Sequence, residues 1–301
     1  MKVLVTGATG FLGSNVAKTV RRNGHQVFAL VRKENSDIVK DLIQHEVNIV
    51  KGDLQHPDTY ASAIEKADVI IHTVLDFANP VGTDKMFLAT LSEVAKKDAK
   101  KRTLIYTTGC SIYGKVPELI MDENTEGNPQ SPLAFRMSLE KEVMQLEGYR
   151  KIILRPGFFY GKNVLSGMSA EWFEAGKSGN ATYYGDTEKG WSWVHIDDLS
   201  EAYVKVIEAG AKVADEIFCI ADEQRLKCLD VFTACVRAAG YKGDIKKALM
   251  PANDWFGNAS DQNEFVTSHK ANAILNWYPK HTGLLDEIDV YYKAWERSQN
   301  H

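Results

Sequence analysis

A glycine-rich turn directly after a short apolar run is the feature that most constrains how this chain can fold. The run Lys2-Val3-Leu4-Val5 leads into Gly7, Gly10 and Gly13, after which the apolar spacing becomes helical. In such a strand–turn–helix, the first glycine allows a tight turn, the second lets backbone amides approach a ligand, and the third lets the helix pack closely. The start of the helix also carries partial positive charge, which attracts anions.

This context predicts a binding site for a dinucleotide pyrophosphate rather than a turn that needs glycine for its conformation alone. The residues predicted to form the site are Gly7, Thr9, Gly10, Phe11, Leu12 and Gly13.

Short apolar runs alternate with helical patterns over the first 160 residues. Each run is apolar on both faces, as expected for the central strands of a parallel sheet. The runs are Val3–Thr6, Val27–Val31, Val47–Val50, Val69–Val74, Leu104–Thr107 and Ile152–Leu154. Strands alternating with helices predict an α/β fold, a Rossmann doubly wound parallel sheet with a smaller C-terminal substrate lobe.

The sequence becomes richer in glycine and large aromatic residues after Tyr160. A loop-rich aromatic stretch, Trp172–Trp193, suits either a lid over an apolar ligand or core packing. Asp197 can cap a following helix, and Phe218–Ile220 resembles another buried strand. We therefore predict a dinucleotide-binding domain over 1–161, rejoined by 193–221, and a substrate-binding lobe formed by 162–192 and 222–301.

The composition of the 301 residues is that of an ordinary folded protein, with a net charge of −4. Four cysteines lack metal spacing, so we predict no metal site, treat Cys110 as a small packed residue, and expect a reducing, cytoplasmic location. The longest basic cluster is a short run near residue 100, so no nucleic-acid partner is predicted. No targeting peptide, no membrane association, and a monomer or homodimer binding a small-molecule substrate are expected.

The end of the second predicted strand bears on which dinucleotide is bound. An NAD-specific site usually has a carboxylate there for the ribose hydroxyls, whereas this chain has Val31 and Arg32. Arg32 can pair with a 2′-phosphate, so NADP(H) is the predicted cofactor and NAD is disfavoured. Arg32 could alternatively lie on the surface. Asp53 could bind the adenine amino group, cap a turn, or do both.

Five motifs together resemble the extended and atypical short-chain dehydrogenase/reductases over residues 1 to about 240. They are Thr6–Gly13, Gly52-Asp53-Leu54, Thr107–Gly114, Arg155–Gly161 and Val194–Leu199. The resemblance implies a Rossmann domain with a C-terminal substrate lobe. It also implies that Pro156 and its neighbour Phe158 lie beside the nicotinamide, that Val74 and Thr107 line the cofactor cleft, and that Leu54 follows the adenine-site Asp53.

The chain departs from that family where its members carry Tyr-x-x-x-Lys. The tyrosine place falls at Leu133 or Ala134 and the lysine place at Met137 or Ser138, while the same helix offers Arg136 and Glu140. Gly109 also stands where the catalytic serine or threonine is usual. This pattern resembles an atypical branch in which the helix carries Arg with Glu four residues later.

Four residues are candidates for the chemistry despite these departures: Thr108, Ser111, Tyr113 and Arg136. One of the hydroxyls could donate to a substrate carbonyl while Arg136 stabilises the developing oxyanion. Alternatively, Tyr113 is a packed loop anchor and Arg136 pairs with Glu140 along the helix. For His195, a structural role beside the helix cap is favoured over acid–base chemistry.

The predicted function is an NADP(H)-dependent reductase or dehydrogenase acting on a small, partly hydrophobic carbonyl or hydroxyl compound. Phe158 and Phe159 precede Tyr160 where sugar-nucleotide enzymes of the family tend to place asparagine, which favours a nonpolar substrate. Two alternatives stay open: a non-catalytic NADP(H)-binding sensor or regulator, and an epimerase or other conversion with a retained nucleotide.

Overall fold

The computed structural model of the chain describes residues 1–162 and 167–299 and shows a mixed α/β fold. The strands are β1 (Lys2–Thr6), β2 (Gln26–Val31), β3 (Asn48–Lys51), β4 (Val69–His72), β5 (Arg102–Thr107), β6 (Tyr149–Pro156), β7 (Phe158–Tyr160), β8 (Thr182–Tyr184), β9 (Gly190–His195), β10 (Glu216–Ile220), β11 (Arg225–Lys227) and β12 (Lys246–Ala248). The α-helices are α1 (Phe11–Arg22), α2 (Asp37–Gln44), α3 (Ala61–Lys66), α4 (Pro80–Lys97), α5 (Ala134–Met144), α6 (Met168–Lys177), α7 (Ile196–Ala209), α8 (Cys228–Ala238), α9 (Trp255–Ala259), α10 (His269–Leu275) and α11 (Ile288–Ser298).

Seven of these strands form one parallel sheet, in the order β10-β6-β5-β4-β1-β2-β3. The chain begins in the middle of the sheet at β1, winds outward to β3, and then continues on the other side of β1 from β4. The predicted Rossmann doubly wound sheet is confirmed. The order reverses between β1 and β4, and ligands of such sheets bind at the carboxyl ends of the strands beside that point.

The central strands are apolar on both faces because helices cover both faces. Val5 and Ile71 pack into one hydrophobic cluster, whereas the preceding residues of the same strands, Leu4 and Ile70, pack into a second. Successive side chains of a strand point to opposite faces, so an uninterrupted β-branched run supplies both cores at once.

A smaller group of elements lies beyond the carboxyl end of the sheet. It includes a three-stranded sheet, β11-β9-β7, a parallel pair of β12 and β8, and α6 packed on α8. Strand β10 returns to the large sheet beside β6, while β9 joins β7 and β11 instead. Part of the predicted lobe, residues 163–166, lies outside the described residues, and the proposed domain boundaries remain a prediction.

Helix α7 begins two residues earlier than its sequence suggested. Its cap is His195, whose Nδ1 accepts a hydrogen bond from the Asp197 backbone N–H at 3.1 Å, so the predicted cap at Asp197 is wrong. The imidazole nitrogen performs the capping role that a carboxylate oxygen was expected to perform. Within the described residues, none of the helices has both the length and the apolar character needed to cross a membrane.

Candidate functional site

The glycine turn between β1 and α1 is built by close backbone contacts. Gly7 adopts a φ of +74°, a left-handed conformation that disfavours any side chain. A Cβ atom at Gly13 would lie 2.2 Å from the Gly7 carbonyl oxygen, so the helix can start here only with glycine at this position. Gly10 precedes α1 and supplies no capping side chain, which leaves the first backbone N–H groups of the helix free for a ligand.

A cavity of about 940 Å³ extends from this turn along the carboxyl ends of β4, β5 and β6 toward α6 and α9. Most of the residues that we predicted for the cofactor and the chemistry line it. They are Gly10, Phe11, Leu12, Gly13, Val74, Thr107, Thr108, Ser111, Arg136, Pro156 and Phe158. The remaining predicted residues are not part of the lining: Gly7, Thr9, Arg32, Asp53, Leu54 and Tyr113.

The predicted adenosine-side residues range from exposed to buried. Arg32 follows β2 and is exposed, and Thr9 is also exposed. The Asp53 carboxylate accepts a hydrogen bond from the Gln55 backbone N–H at 3.1 Å, so Asp53 does form a turn. Leu54 is buried in the core. Of the two compatible roles weighed for Asp53, this contact corresponds to the turn.

Tyr113 does not line the cavity, and its hydroxyl is already hydrogen-bonded within the fold. Its hydroxyl donates to the Asp122 carbonyl at 2.7 Å and accepts from Arg155 Nη1 at 2.9 Å, and the side chain is fully buried. Burial raises the pKa of this phenol far above its ordinary range. This geometry corresponds to the packed loop anchor, and it gives no support to a contact between Tyr113 and a substrate.

Glu140 pairs with Arg155 rather than with Arg136. Arg155 donates to both Glu140 carboxylate oxygens, from Nε at 3.2 Å and from Nη2 at 2.5 Å, and both side chains are 4% exposed. Thr108 donates to the same carboxylate at 2.6 Å. The helical Arg136–Glu140 pair considered from the sequence is therefore wrong, because the strand residue Arg155 occupies the carboxylate.

Arg136 is a buried cation with unused hydrogen-bonding capacity in the cavity wall. It is 5% exposed, and its Nη2 donates to the Thr107 carbonyl at 2.7 Å. Its Nε and Nη1 have no hydrogen-bond partner among the described residues. A buried guanidinium with open donors is costly unless a ligand satisfies them, so Arg136 can hold an oxygen atom of a bound molecule.

A buried carboxyl group that the sequence did not reveal stands behind Ser111. Glu264 is 1% exposed, and its Oε2 lies 2.6 Å from Ser111 Oγ. Backbone hydrogen bonds hold it against β9, because its N–H donates to the Gly190 carbonyl and its carbonyl accepts from the Ser192 N–H. Burial raises the pKa of Glu264 to about 7. Ser111 and Glu264 are 153 residues apart, and no local pattern announces the contact.

Aromatic rings form another part of the cavity wall. Phe158 stacks on Trp191 with centroids 4.0 Å apart, and Trp172 stacks on the other side of Trp191 at 5.9 Å. Trp193 is fully buried, yet its indole N–H has no partner among the described residues. These rings suit an apolar ligand. Trp191 and Trp193 belong to β9 and are buried core residues that also line the cavity, whereas the lid stays a prediction.

His195 lies outside the cavity, in a cluster with Asp197 and His281 whose ligand atoms fall within 4.8 Å of one another. The two imidazole rings are stacked, with centroids 3.5 Å apart and planes 15° apart. A metal ion bonds a nitrogen lone pair in the ring plane, and one ion cannot lie in two parallel planes at once. Burial and the neighbouring His281 lower the pKa of His195 to about 4, so it serves as a neutral cap.

Comparison with known proteins places this site in a family. A model described as the NAD dependent epimerase/dehydratase family matches residues 3–221. An uncharacterized protein of Saccharomyces cerevisiae, YLL056C, is 25% identical, over 97% of this chain and 99% of that protein.

Two solved structures share the fold. The UDP-glucose 4-epimerase of Thermotoga maritima, solved with UDP-glucose, superposes with a TM-score of 0.83 at 18% identity, covering 100% of both chains. The UDP-glucose 4-epimerase of Thermus thermophilus, in complex with NAD, gives a TM-score of 0.79 at 21% identity, covering 98% of this chain and 99% of that one. With the family match extending over most of its length, the chain belongs to the NAD dependent epimerase/dehydratase family.

Proposed function

We propose that this protein is an NADP(H)-dependent oxidoreductase that reduces a small, partly hydrophobic carbonyl compound, or oxidises the corresponding alcohol. The observation that carries the proposal is the buried Arg136 guanidinium, which belongs to the lining of a cavity that begins at the glycine turn and has two donor nitrogens without a partner among the described residues. Such donors stabilise negative charge that develops on a carbonyl oxygen. When bound, the cofactor supplies the hydride.

The residues present fit a dinucleotide. The uncapped start of α1 offers backbone N–H groups to the pyrophosphate, and no side chain from Gly10 or Gly13 obstructs it. Val74, Thr107 and Pro156 continue the wall beyond the turn toward Arg136. The aromatic wall around Trp191 then covers an apolar carbon skeleton and excludes water from it.

A specific feature keeps the epimerase alternative in view. The Thermotoga maritima relative is a UDP-glucose 4-epimerase, and its fold covers this whole chain. An epimerase of this kind must remove a hydroxyl proton from a sugar, yet the tyrosine place falls at Leu133 or Ala134, and neither side chain can take up a proton. Net consumption of NADPH with aldehydes or ketones supports the oxidoreductase. Nucleotide retained through purification without net consumption supports the epimerase, and tight binding without any turnover supports a sensor.

Replacement of Arg136 by methionine tests the oxidoreductase proposal directly. We expect kcat/KM for NADPH-dependent carbonyl reduction to fall by about 100-fold, because an oxyanion donor is lost. Stability should not fall, since methionine removes a buried and partly unpartnered charge. Steady-state kinetics and thermal unfolding measure the two quantities.

The control is Arg237→Met, which removes an exposed arginine of α8 and should leave the kinetics unchanged. Unaltered turnover in Arg136→Met would remove Arg136 from the mechanism.

Replacement of Arg32 by methionine tests the preference for NADP(H). Arg32 is exposed at the end of β2 and forms no ion pair among the described residues, so its guanidinium is available to a 2′-phosphate. We expect the Kd of NADPH to rise by about 10-fold while the Kd of NADH stays constant, since one charge-assisted contact is worth roughly 1.5–3 kcal/mol. Calorimetry with both nucleotides gives the ratio. Lys33→Met, at the adjacent exposed lysine, is the matched control, and a ratio equal to that of the wild type would contradict the assignment.

A further inference from the structure

Glu264 is an unusual group to find behind the wall of a largely apolar cavity. Its carboxyl group forms no salt bridge among the described residues, because the ammonium that acts on it, that of Lys189, is paired with Asp261 at 2.9 Å. A carboxylate buried without a cation is destabilised relative to the neutral acid. The neutral acid is therefore populated near neutrality, and it carries a proton that can be given away.

Within the part of the chain that the structure describes, three side chains form hydrogen bonds with this carboxyl group. Ser111 Oγ lies 2.6 Å from Oε2, Cys110 Sγ lies 3.7 Å from the same oxygen, and the Gln262 amide nitrogen lies 3.5 Å from Oε1. Of the three, Ser111 and Cys110 also line the cavity. Only a hydroxyl readily accepts one hydrogen while donating another, so Ser111 alone can connect Glu264 to a bound molecule.

We propose that Glu264 supplies, through the Ser111 hydroxyl, the proton that a carbonyl substrate takes up on reduction. Glu264 does not touch the substrate. It is a positioning residue that determines whether the Ser111 hydrogen points into the cavity or back toward Glu264. This inference rests on the proposed oxidoreductase function and assigns to it the proton donor that the missing tyrosine would have provided.

The proton and electron balance of the step is complete. The carbonyl carbon receives a hydride, which brings two electrons and would come from NADPH, leaving NADP⁺ as the oxidised product, and the carbon–oxygen π electrons move onto oxygen. The Ser111 O–H bond breaks as its proton bonds that oxygen, and the Glu264 O–H bond breaks as its proton bonds Ser111 Oγ. Glu264 is left as a carboxylate, held by the hydrogen bonds from Ser111 and Cys110, and it regains a proton from solvent. Alcohol oxidation follows the same path in reverse, starting from the carboxylate.

Glu264 changes charge near neutrality, whereas the titratable groups that face it do not. The thiols of Cys110 and Cys228 are buried, and burial raises the pKa of each well above its ordinary value, so both stay neutral. Lys189 keeps its ion pair with Asp261. With a pKa of about 7, Glu264 holds its proton below that pH and loses it above. Carbonyl reduction should therefore slow as the pH rises through 7, whereas alcohol oxidation should accelerate.

The test compares wild type, Glu264→Gln and Ser111→Ala. The first readout is activity-independent: the infrared carbonyl absorption of protonated carboxyl groups in the ligand-free protein should include a component that titrates near pH 7 and is lost in Glu264→Gln, while the component from Asp222, whose pKa burial also raises to about 7, remains. The second is the pH profile of NADPH-dependent reduction. At pH 6 we expect both variants to lose about 10-fold in rate, since water replaces the lost donor imperfectly, and to lose the decline above pH 7.

The matched control is Glu123→Gln. Glu123 is another carboxyl group whose pKa is raised by burial, but it binds the Cys219 backbone N–H and does not line the cavity. This variant should keep the wild-type pH profile. Ser111→Ala keeps Glu264 in place, so it tests the relay even if Glu264→Gln fails to fold.

Two results would overturn the relay. If wild type reduces carbonyl compounds and a folded Glu264→Gln or Ser111→Ala variant keeps both the rate and the inflection near pH 7, the relay is wrong and the oxidoreductase function stands. If wild type reduces no compound in a broad carbonyl panel, the oxidoreductase function itself fails and the relay fails with it.

Discussion

Replacing Gly13 by alanine is expected to weaken dinucleotide binding by at least about 1,000-fold, equivalent to roughly 4 kcal/mol. The added Cβ would lie 2.2 Å from the Gly7 carbonyl oxygen and 2.7 Å from Thr73 Oγ1. Neither β1 nor β4 can yield, because both are central strands, so α1 must move away from the turn. The helix start would then no longer present its N–H groups to the pyrophosphate. Isothermal calorimetry with NADPH measures the loss.

A second glycine separates this effect from the general cost of the substitution. Gly24, just after α1, has a φ of +83°, and an added Cβ there would meet no atom within 4 Å. Gly24→Ala should therefore lower stability by about 1 kcal/mol through backbone strain alone and leave the Kd unchanged. Wild-type affinity in a folded Gly13→Ala variant would show that the glycine turn does not receive the pyrophosphate.

Replacing Glu140 by glutamine is expected to lower the free energy of unfolding by about 3–5 kcal/mol. The amide preserves the volume of the side chain but leaves the Arg155 guanidinium, itself 4% exposed, without its counter-charge. The hydrogen bond that Thr108 donates would also go to a neutral amide instead of a charged carboxylate. Urea unfolding followed by circular dichroism gives the free energy.

The matched control lies two residues further along α5. Glu142 is 44% exposed and pairs with Lys85 at 3.6 Å, so Glu142→Gln should cost less than about 1 kcal/mol. The double variant Glu140→Leu with Arg155→Met removes both charges and should recover much of the lost stability. Equal costs for Glu140→Gln and Glu142→Gln would mean that the buried pair contributes no more than a surface one.

The sequence predicted the sheet because the information for it is local. Runs such as Val27–Val31 are short and apolar on both faces, and they became strands of the large parallel sheet. The ends were less well predicted. The run Val69–Val74 leaves the sheet after His72, because Thr73 and Val74 turn aside to line the cavity. Strand β6 begins at Tyr149, three residues earlier than its apolar part, because these first residues pair with β5 alone and β10 joins only from Ile152, so Arg150 and Lys151 stay partly exposed.

The candidate site was only partly predictable because its chemistry depends on pairs that are distant in sequence. The spacing along α5 allowed an ion pair between Glu140 and Arg136. In the fold, Arg155 of strand β6 donates to both oxygens of the Glu140 carboxylate instead. Glu264 lies beyond the region that resembles any motif, and only the folded chain brings it to Ser111. The helix sequence identified Arg136 as a candidate, but it could not show that Nε and Nη1 lack hydrogen-bond partners among the described residues.

The place of β10 in the sheet has a consequence for the nascent chain. Strand β10 follows β6 by about 60 residues in the sequence. During synthesis, the backbone N–H and C=O groups on one side of β6 therefore have no strand to pair with until β10 has been made. Such an edge invites pairing with another copy of the chain. Arg150 and Lys151 stand at the start of that edge, and charges there discourage association until Asp215, paired with Lys151 at 2.8 Å, guides β10 into place. The two basic residues at the start of β6 thus protect the unfinished molecule from association.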